Sequence, residues 1–416
     1  MRTPILEALE KNKNHLSFRT PGHNGGIVLD SSLDVTELSF SDNLLSATGI
    51  IKESQEEVAK AYGVEKVLYS TAGATTLILS VIRALRKKGT FLIYGSNHKS
   101  VYNGLRINGV KAYFYKGDNL DKAIEESGAK VVVCTSPNYF GNVLNLEKIS
   151  AVCKEKGAVL VVDASHGAHF AFSTKLPVSA TKYADLVIHS QHKVMKTLTG
   201  GASLCYTKEY EKEILTAFRE LHTTSPSYLV MLSIENAVKE CVVSGEKNYS
   251  KVIEAVEKFA THAGDNYKVI KTDDVTRLVI EVNSEGESIR EQLEAKGIYP
   301  EMVYGNRLVF IVTPCNYQEL EKLASALKTC DYATSYNEVV LEEREELIEL
   351  ILDGESQEIP LEDSVGLVSY REVGLYPPGV PVIVPGEKIT KEKLEFLKDN
   401  VNITFGLEKG SIVVLK

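Results

Sequence analysis

Seven short runs of nearly continuous apolar residues, most of them separated by helical patterns, constrain this 416-residue chain more than any other feature. They lie at Lys66–Ser70, Thr90–Tyr94, Val110–Tyr115, Lys130–Cys134, Ala158–Val162, Asp185–His189 and Ala202–Tyr206. A strand that is apolar on both faces must be covered on both faces, which predicts an α/β fold with a mostly parallel seven-stranded sheet between helices. In such sheets ligands bind beyond the carboxyl ends of the strands. Ser136, Asp163 and Lys193 fall at those ends.

Punctuation and composition divide the chain into an arm (1–45), a large domain (46–245) and a smaller α+β domain (246–416). The second part should carry a helix over Val252–His262 and strands near Tyr267–Ile270 and Arg277–Val282. A helix over Ser288–Lys296, a strand pair within Ile298–Val312 and a helix over Tyr317–Lys328 should follow. The charged run Leu341–Leu350 reads as the solvated face of a further helix.

A net charge of −9 with no Lys/Arg cluster argues against nucleic acid as a partner. No apolar run is long enough for a membrane span, and the amino terminus lacks a secretory core, so the cytoplasm is expected. Six scattered cysteines fit reduced thiols better than a disulfide framework or a zinc knot.

The chemistry concentrates at strand ends. Lys193, in Ser190-Gln191-His192-Lys193, is badly placed for packing and well placed to hold a carbonyl compound as a Schiff base. Asp163 follows five apolar residues, so its charge needs a partner, and a pyridinium N–H is one. Acid, lysine and His166 together suit pyridoxal 5'-phosphate. The turn Ala72-Gly73-Ala74-Thr75-Thr76 offers free N–H groups and hydroxyls to a phosphate, though it could be only a capped helix. His98 could lie against a planar ring, or be an ordinary loop histidine. Ser136 and Asn138 are ordinary turn formers that could also touch a cofactor. The pairs His166/His169 and His189/His192 invite a metal reading, but H-x-x-H needs a helix to bring both rings to one side, and these sit in turns. No metal site is therefore expected.

In order, Phe18-Arg19-Thr20-Pro21-Gly22-His23, Asp34-Val35-Thr36-Glu37, Asp42-Asn43-Leu44, Asn97-His98-Lys99-Ser100, Thr135-Ser136-Pro137-Asn138-Tyr139, Asp163–Phe170, Ser190–Lys193, Thr224–Tyr228 and Tyr376-Pro377-Pro378-Gly379-Val380-Pro381 resemble the orn/lys/arg decarboxylase family. These are pyridoxal-phosphate enzymes of aspartate-aminotransferase fold, fold type I. The resemblance runs nearly end to end and is to a short form, without the amino-terminal wing domain and large ring assemblies of the long inducible enzymes.

It implies Lys193 as the Schiff-base lysine, Asp163 as the pyridinium partner, His98 as the ring-stacking residue and His166 beside the phenolic oxygen. Ser136 and Ser190 would line the cofactor, and His192, Ala74 and Thr75 would hold its phosphate. It further implies a homodimer with shared active sites, the Pro21–His23 arm or the Thr224–Tyr228 segment crossing between subunits. The expected reaction converts lysine, ornithine or arginine to an amine and carbon dioxide, for polyamine or diamine production. Glu301 or Glu372 would meet the distal cation. The chain departs from the family pattern at Ala74-Thr75, Ala164 and Gly200-Gly201, which leaves the substrate open. An aminotransferase or β-lyase, with Arg277, Arg307 or Arg371 clamping a carboxylate, and a non-catalytic cofactor-binding protein are the alternatives.

Overall fold

The computed structural model describes residues 15–27, 30–332 and 345–416. The chain enters through β1 (Leu16–Phe18) and α1 (Ile50–Tyr62), then builds a central sheet from β2 (Lys66–Ser70), β3 (Phe91–Tyr94), β4 (Ala112–Tyr115), β5 (Val131–Thr135), β6 (Val159–Asp163), β7 (Leu186–His189) and β8 (Ala202–Tyr206). Between these strands lie α2 (Gly73–Leu85), α3 (Lys99–Ile107), α4 (Leu120–Ser127), α5 (Leu146–Lys156) and the single turn α6 (Gln191–Val194). Local chemistry sets the crossover lengths. Asn119 and Asn145 cap α4 and α5 by accepting the N–H of Lys122 and Lys148. Gly128 and Gly157 stop the same helices at φ 63°, a left-handed conformation that glycine adopts without strain.

Strands β4, β3, β5, β6 and β7 run parallel in that spatial order, β8 is antiparallel to β7, and β2 antiparallel to β8. Their side chains are almost wholly buried, with Val131, Val132 and Val162 at 0 % exposure. The register aligns Thr135 with Asp163 and Asp163 with Ile188, so β5 and β6 deliver their last residues, and β7 its next to last, to one row.

Helices α7 (Glu211–Leu221) and α8 (Tyr228–Ala260) follow. The latter is one helix of 33 residues, so the element expected at Val252–His262 starts far earlier, and residue 245 lies inside it. Strands β9 (Tyr267–Ile270), β10 (Arg277–Val282), β11 (Ile298–Pro300), β12 (Met302–Tyr304) and β13 (Arg307–Ile311) come next, with α9 (Gly286–Ala295) and α10 (Leu320–Leu327). An antiparallel sheet ordered β12-β13-β10-β9 packs Ile280, Leu308 and Phe310 with Val252 and Phe259 of α8. Strand β1 pairs in parallel with β11 and ties the entering chain to this part.

Sequence reading missed an eighth strand of the central sheet, β14 (Ile348–Glu349), antiparallel to β4. It corrects the solvated helix expected over Leu341–Leu350, whose first four residues lie outside the described ones. The physical reason is the edge of β4, whose open backbone groups this segment covers while Leu350 is buried beside them. The chain ends in a lobe with its own core, built from β15 (Ser356–Pro360), β16 (Val373–Leu375), β17 (Val380–Ile383), α11 (Lys391–Asp399), β18 (Thr404–Phe405), β19 (Leu407–Glu408) and β20 (Ser411–Leu415). No described cysteine is in a disulfide, and among the described residues no helix is long and apolar enough to cross a membrane.

Candidate active site

Strand β7 ends at His189 and the chain turns at once into α6, whose single turn presents Lys193 beyond the carboxyl edge of the sheet. The arm crosses this turn within the same chain: Gly22 N–H donates to the His192 carbonyl at 2.7 Å, and the Gly22 carbonyl accepts from Thr313 Oγ1 at 3.0 Å. In the Thr224–Tyr228 segment, Tyr228 Oη donates to the Asp42 carbonyl. The Asp42 carboxylate in turn accepts the N–H groups of Gly49 and Ile51 at the start of α1. Both segments expected to cross between subunits are thus bonded within the chain itself, the arm to the turn that carries Lys193 and the Tyr228 segment to the residues that cap α1.

Lys193 Nζ lies 3.1 Å from His166 Nε2 and 3.5 Å from Tyr139 Oη, on the face of the Tyr139 ring. His166 Nδ1 meets Arg277 Nη2 at 2.7 Å. Asp163, at the end of β6, is buried, and its Oδ1 accepts both the N–H and the hydroxyl of Ser165 at 3.1 and 2.5 Å. Burial pushes the Asp163 carboxyl above its usual range, with the Ser165 bonds working against it. A cationic N–H is the partner that would bring it back.

His98 lies within electrostatic reach of Lys193 and His166. It caps α3, its Nδ1 accepting the Ser100 N–H at 3.2 Å, and burial pushes it down to about 3, so the ring is neutral. The Tyr376–Gly379 loop of the C-terminal lobe covers it: Lys99 N–H donates to the Gly379 carbonyl, and Lys99 Nζ sits over the rings of Tyr376 and Phe405.

At the third corner α2 starts without a side-chain cap, leaving the Ala74 and Thr75 end open to an anion. Gly73 N–H donates to Gly200, so the loop after Lys193 holds this helix start in place. Ser190 Oγ is 3.3 Å from His192 Nδ1, and burial lowers His192 to about 4. Ser136 donates its N–H to the Asp163 carbonyl while its Oγ accepts from Leu144, which fixes the turn after β5.

The two H-x-x-H pairs split. His166 and His192 face the site, whereas His169 bonds Thr276 Oγ1 and packs on Tyr249, and His189 packs on Tyr62. Among the described residues no three His, Cys, Asp or Glu gather as metal ligands would. Of the two acids considered for the distal cation, Glu301 accepts the Thr20 N–H near Tyr139 and Arg277, and Glu372 is engaged with Arg106. Tyr139 and Arg277 reach Lys193 and His166 directly. Tyr139 had a signal in the motif after β5; Arg277 stood out in the sequence only as one of three arginines able to clamp a carboxylate.

The sheet order and a lysine on the turn after β7 belong to the aspartate-aminotransferase-like fold, fold type I. Lysine decarboxylase A from Pseudomonas aeruginosa superposes with a TM-score of 0.75 at 14% identity, covering 92% of this chain and 73% of that one. The family model for the Orn/Lys/Arg decarboxylase major domain matches residues 3–124 and 107–284, and that for the Orn/Lys/Arg decarboxylase C-terminal domain matches 328–404. The chain belongs to the Orn/Lys/Arg decarboxylase family and is an enzyme of it. Arginine decarboxylases of Halalkalibacterium halodurans and Bacillus anthracis are 25% and 27% identical to it, each over 96% of this chain and 93% of the relative.

Proposed function

We propose that this chain is a pyridoxal-phosphate-dependent decarboxylase of lysine, ornithine or arginine, releasing the corresponding amine and carbon dioxide for polyamine or diamine production. The observation that carries the reading is the placement of the Lys193 amine 3.1 Å from His166, with buried Asp163 on the neighbouring strand. The residues present fit the cofactor: an amine for its aldehyde, a buried carboxylate whose Oδ1 already takes both Ser165 bonds, and an uncapped helix start for its phosphate. Pyridoxal phosphate supplies, when bound, the electron sink that loss of carbon dioxide needs.

The chain's residues do the rest. Lys193 would hold the cofactor through Nζ and pass protons at the reacting carbon. Asp163 would hold the proton on the ring nitrogen, as a carboxylate beside a cationic N–H favours the charged pair. His98 would lie against the ring, Ser136 and Ser190 would line its edge, and Ala74, Thr75 and His192 would hold the phosphate. Glu301 would face the distal cation of the substrate. By the same reading the enzyme acts in the cytoplasm as a homodimer with shared sites, in which exposed apolar residues such as Leu38, Phe40 and Ile50 would be covered by the second subunit.

The test is a panel of lysine, ornithine and arginine on the cofactor-loaded protein, together with borohydride reduction and peptide mapping. Amine and carbon dioxide with a reduced adduct on Lys193 are expected. A keto acid formed only with an acceptor would make the enzyme an aminotransferase, and no adduct on Lys193 would end the proposal.

A further inference from the structure

His166 is buried and meets a nitrogen through each of its ring nitrogens: Arg277 Nη2 at Nδ1 and Lys193 Nζ at Nε2. Turning the ring over would put carbon at both contacts, so the two partners fix its orientation. A guanidinium has five N–H donors and no acceptor. Arg277 must therefore donate, and Nδ1 must offer its lone pair. Burial holds the imidazole well below its ordinary range, so it is neutral and carries one proton. The only nitrogen left for that proton is Nε2.

We infer that Arg277 is a positioning residue that locks His166 as the Nε2–H tautomer, so that the ring gives a hydrogen bond to the nitrogen of Lys193 and takes no proton from it. Arg277 is itself held in place. It is 1 % exposed, its backbone N–H donates to the Asp274 carbonyl, and it begins β10 in register with Ile311. In its unprotonated amine form Lys193 Nζ has a lone pair to accept the Nε2 hydrogen while giving a hydrogen of its own to Tyr139 Oη. His166 cannot serve as the acid either, because a neutral imidazole that gave up its only N–H would become a buried anion. Proton transfer at the reacting carbon is thereby left to Lys193, and His166 orients that nitrogen. This last consequence rests on the function proposed above; the tautomer does not.

The experiment is nitrogen NMR of the cofactor-loaded enzyme labelled with ¹⁵N-histidine, His166 being assigned by its loss in His166→Gln. The wild type should show the proton on Nε2 and a bare Nδ1. Arg277→Lys keeps a donor and should keep the tautomer. Arg277→Met should shift the proton toward Nδ1 and lower kcat by about 10²-fold, the effect of a small misplacement at a reacting group, with KM changed far less. A proton on Nδ1 in the wild type overturns the inference, as does an Arg277→Met enzyme with unchanged tautomer and kcat. If Arg277→Met does not fold, the wild-type spectrum decides alone. An enzyme that shows the Nε2–H signal but decarboxylates none of the three amino acids would sink the proposed function and leave this inference standing.

Discussion

Gly379 of the C-terminal lobe lies so close to His98 that a Cβ added to it would stand 2.8 Å from His98 Nε2. The same glycine accepts the Lys99 N–H at 2.8 Å, and its φ is 81°. The lobe's contact with the large domain is thus also a contact with the ring expected to stack on the cofactor.

Gly379→Ala should therefore cost stability and activity together. Alanine is strained at positive φ, which costs on the order of 1 kcal/mol, and its methyl must displace either the loop or the imidazole. A displaced ring should lower kcat/KM by about 10-fold or more. Steady-state kinetics in a double-mutant cycle with His98→Ala separates the two effects. In the absence of the imidazole the kinetic penalty should largely vanish, and an undiminished penalty would show that the loop acts elsewhere.

Asp163→Asn is expected to leave the fold intact, because the amide oxygen can still accept from Ser165 and a buried charge is removed. Activity should fall by at least about 10²-fold, since an amide cannot hold the proton of a pyridinium. The thermal midpoint should not drop by more than a few degrees. A large drop, with cofactor absorbance lost in proportion, would mean that Asp163 serves packing.

Acid should weaken the protein well above the carboxylate range. Burial holds His98 and His189 at about 3 and His192 at about 4, against an ordinary 6.5. The unfolded chain takes up three protons near pH 6.5 that these rings refuse when folded. Their stabilising contribution is complete above that pH and is lost as the pH falls toward about 4 for His192 and about 3 for His98 and His189, at up to about 1.4 kcal/mol per histidine per pH unit. Asp163 and Asp185, whose carboxyls are raised by burial, push in the opposite direction. Urea midpoints should decline between pH 6.5 and 5, and His189→Leu should flatten the decline. A flat profile over that window would contradict the buried neutral state.

The two acids considered for the distal substrate charge should behave differently. Glu301 hangs beside Tyr139 and Arg277 with one oxygen on the Thr20 N–H, a bond that glutamine can keep. Glu301→Gln should raise KM for the cationic substrate by about 10-fold or more, the value of a lost charge-assisted bond, with a smaller change in kcat. Glu372 joins Arg106, which also donates to the carbonyls of Leu352 and Tyr370. Glu372→Gln should loosen the C-terminal lobe and leave KM nearly unchanged. A reversed pattern would move the distal subsite to Glu372.

What could be read from residue order is local in origin. Continuous apolar runs, Asn caps and Gly stops act within a few residues, so the seven strands of the large sheet and most of the helices between them were legible, as was the position of Lys193 and Asp163 at strand ends. The same locality misled where neighbours in sequence part company in space. The H-x-x-H pairs look like single sites, yet His166 turns to the lysine and His192 to Ser190 and the Gly201 carbonyl, while His169 and His189 pack among aromatic rings. The charged run before Leu350 has a helical pattern, but the open edge of β4 draws its end into a strand. Only tertiary structure could bring Arg277 to His166 across 111 positions, or set Gly379 on His98. Such meetings depend on how separate layers pack, and a side chain's spacing along the chain carries no record of which distant backbone will be laid against it.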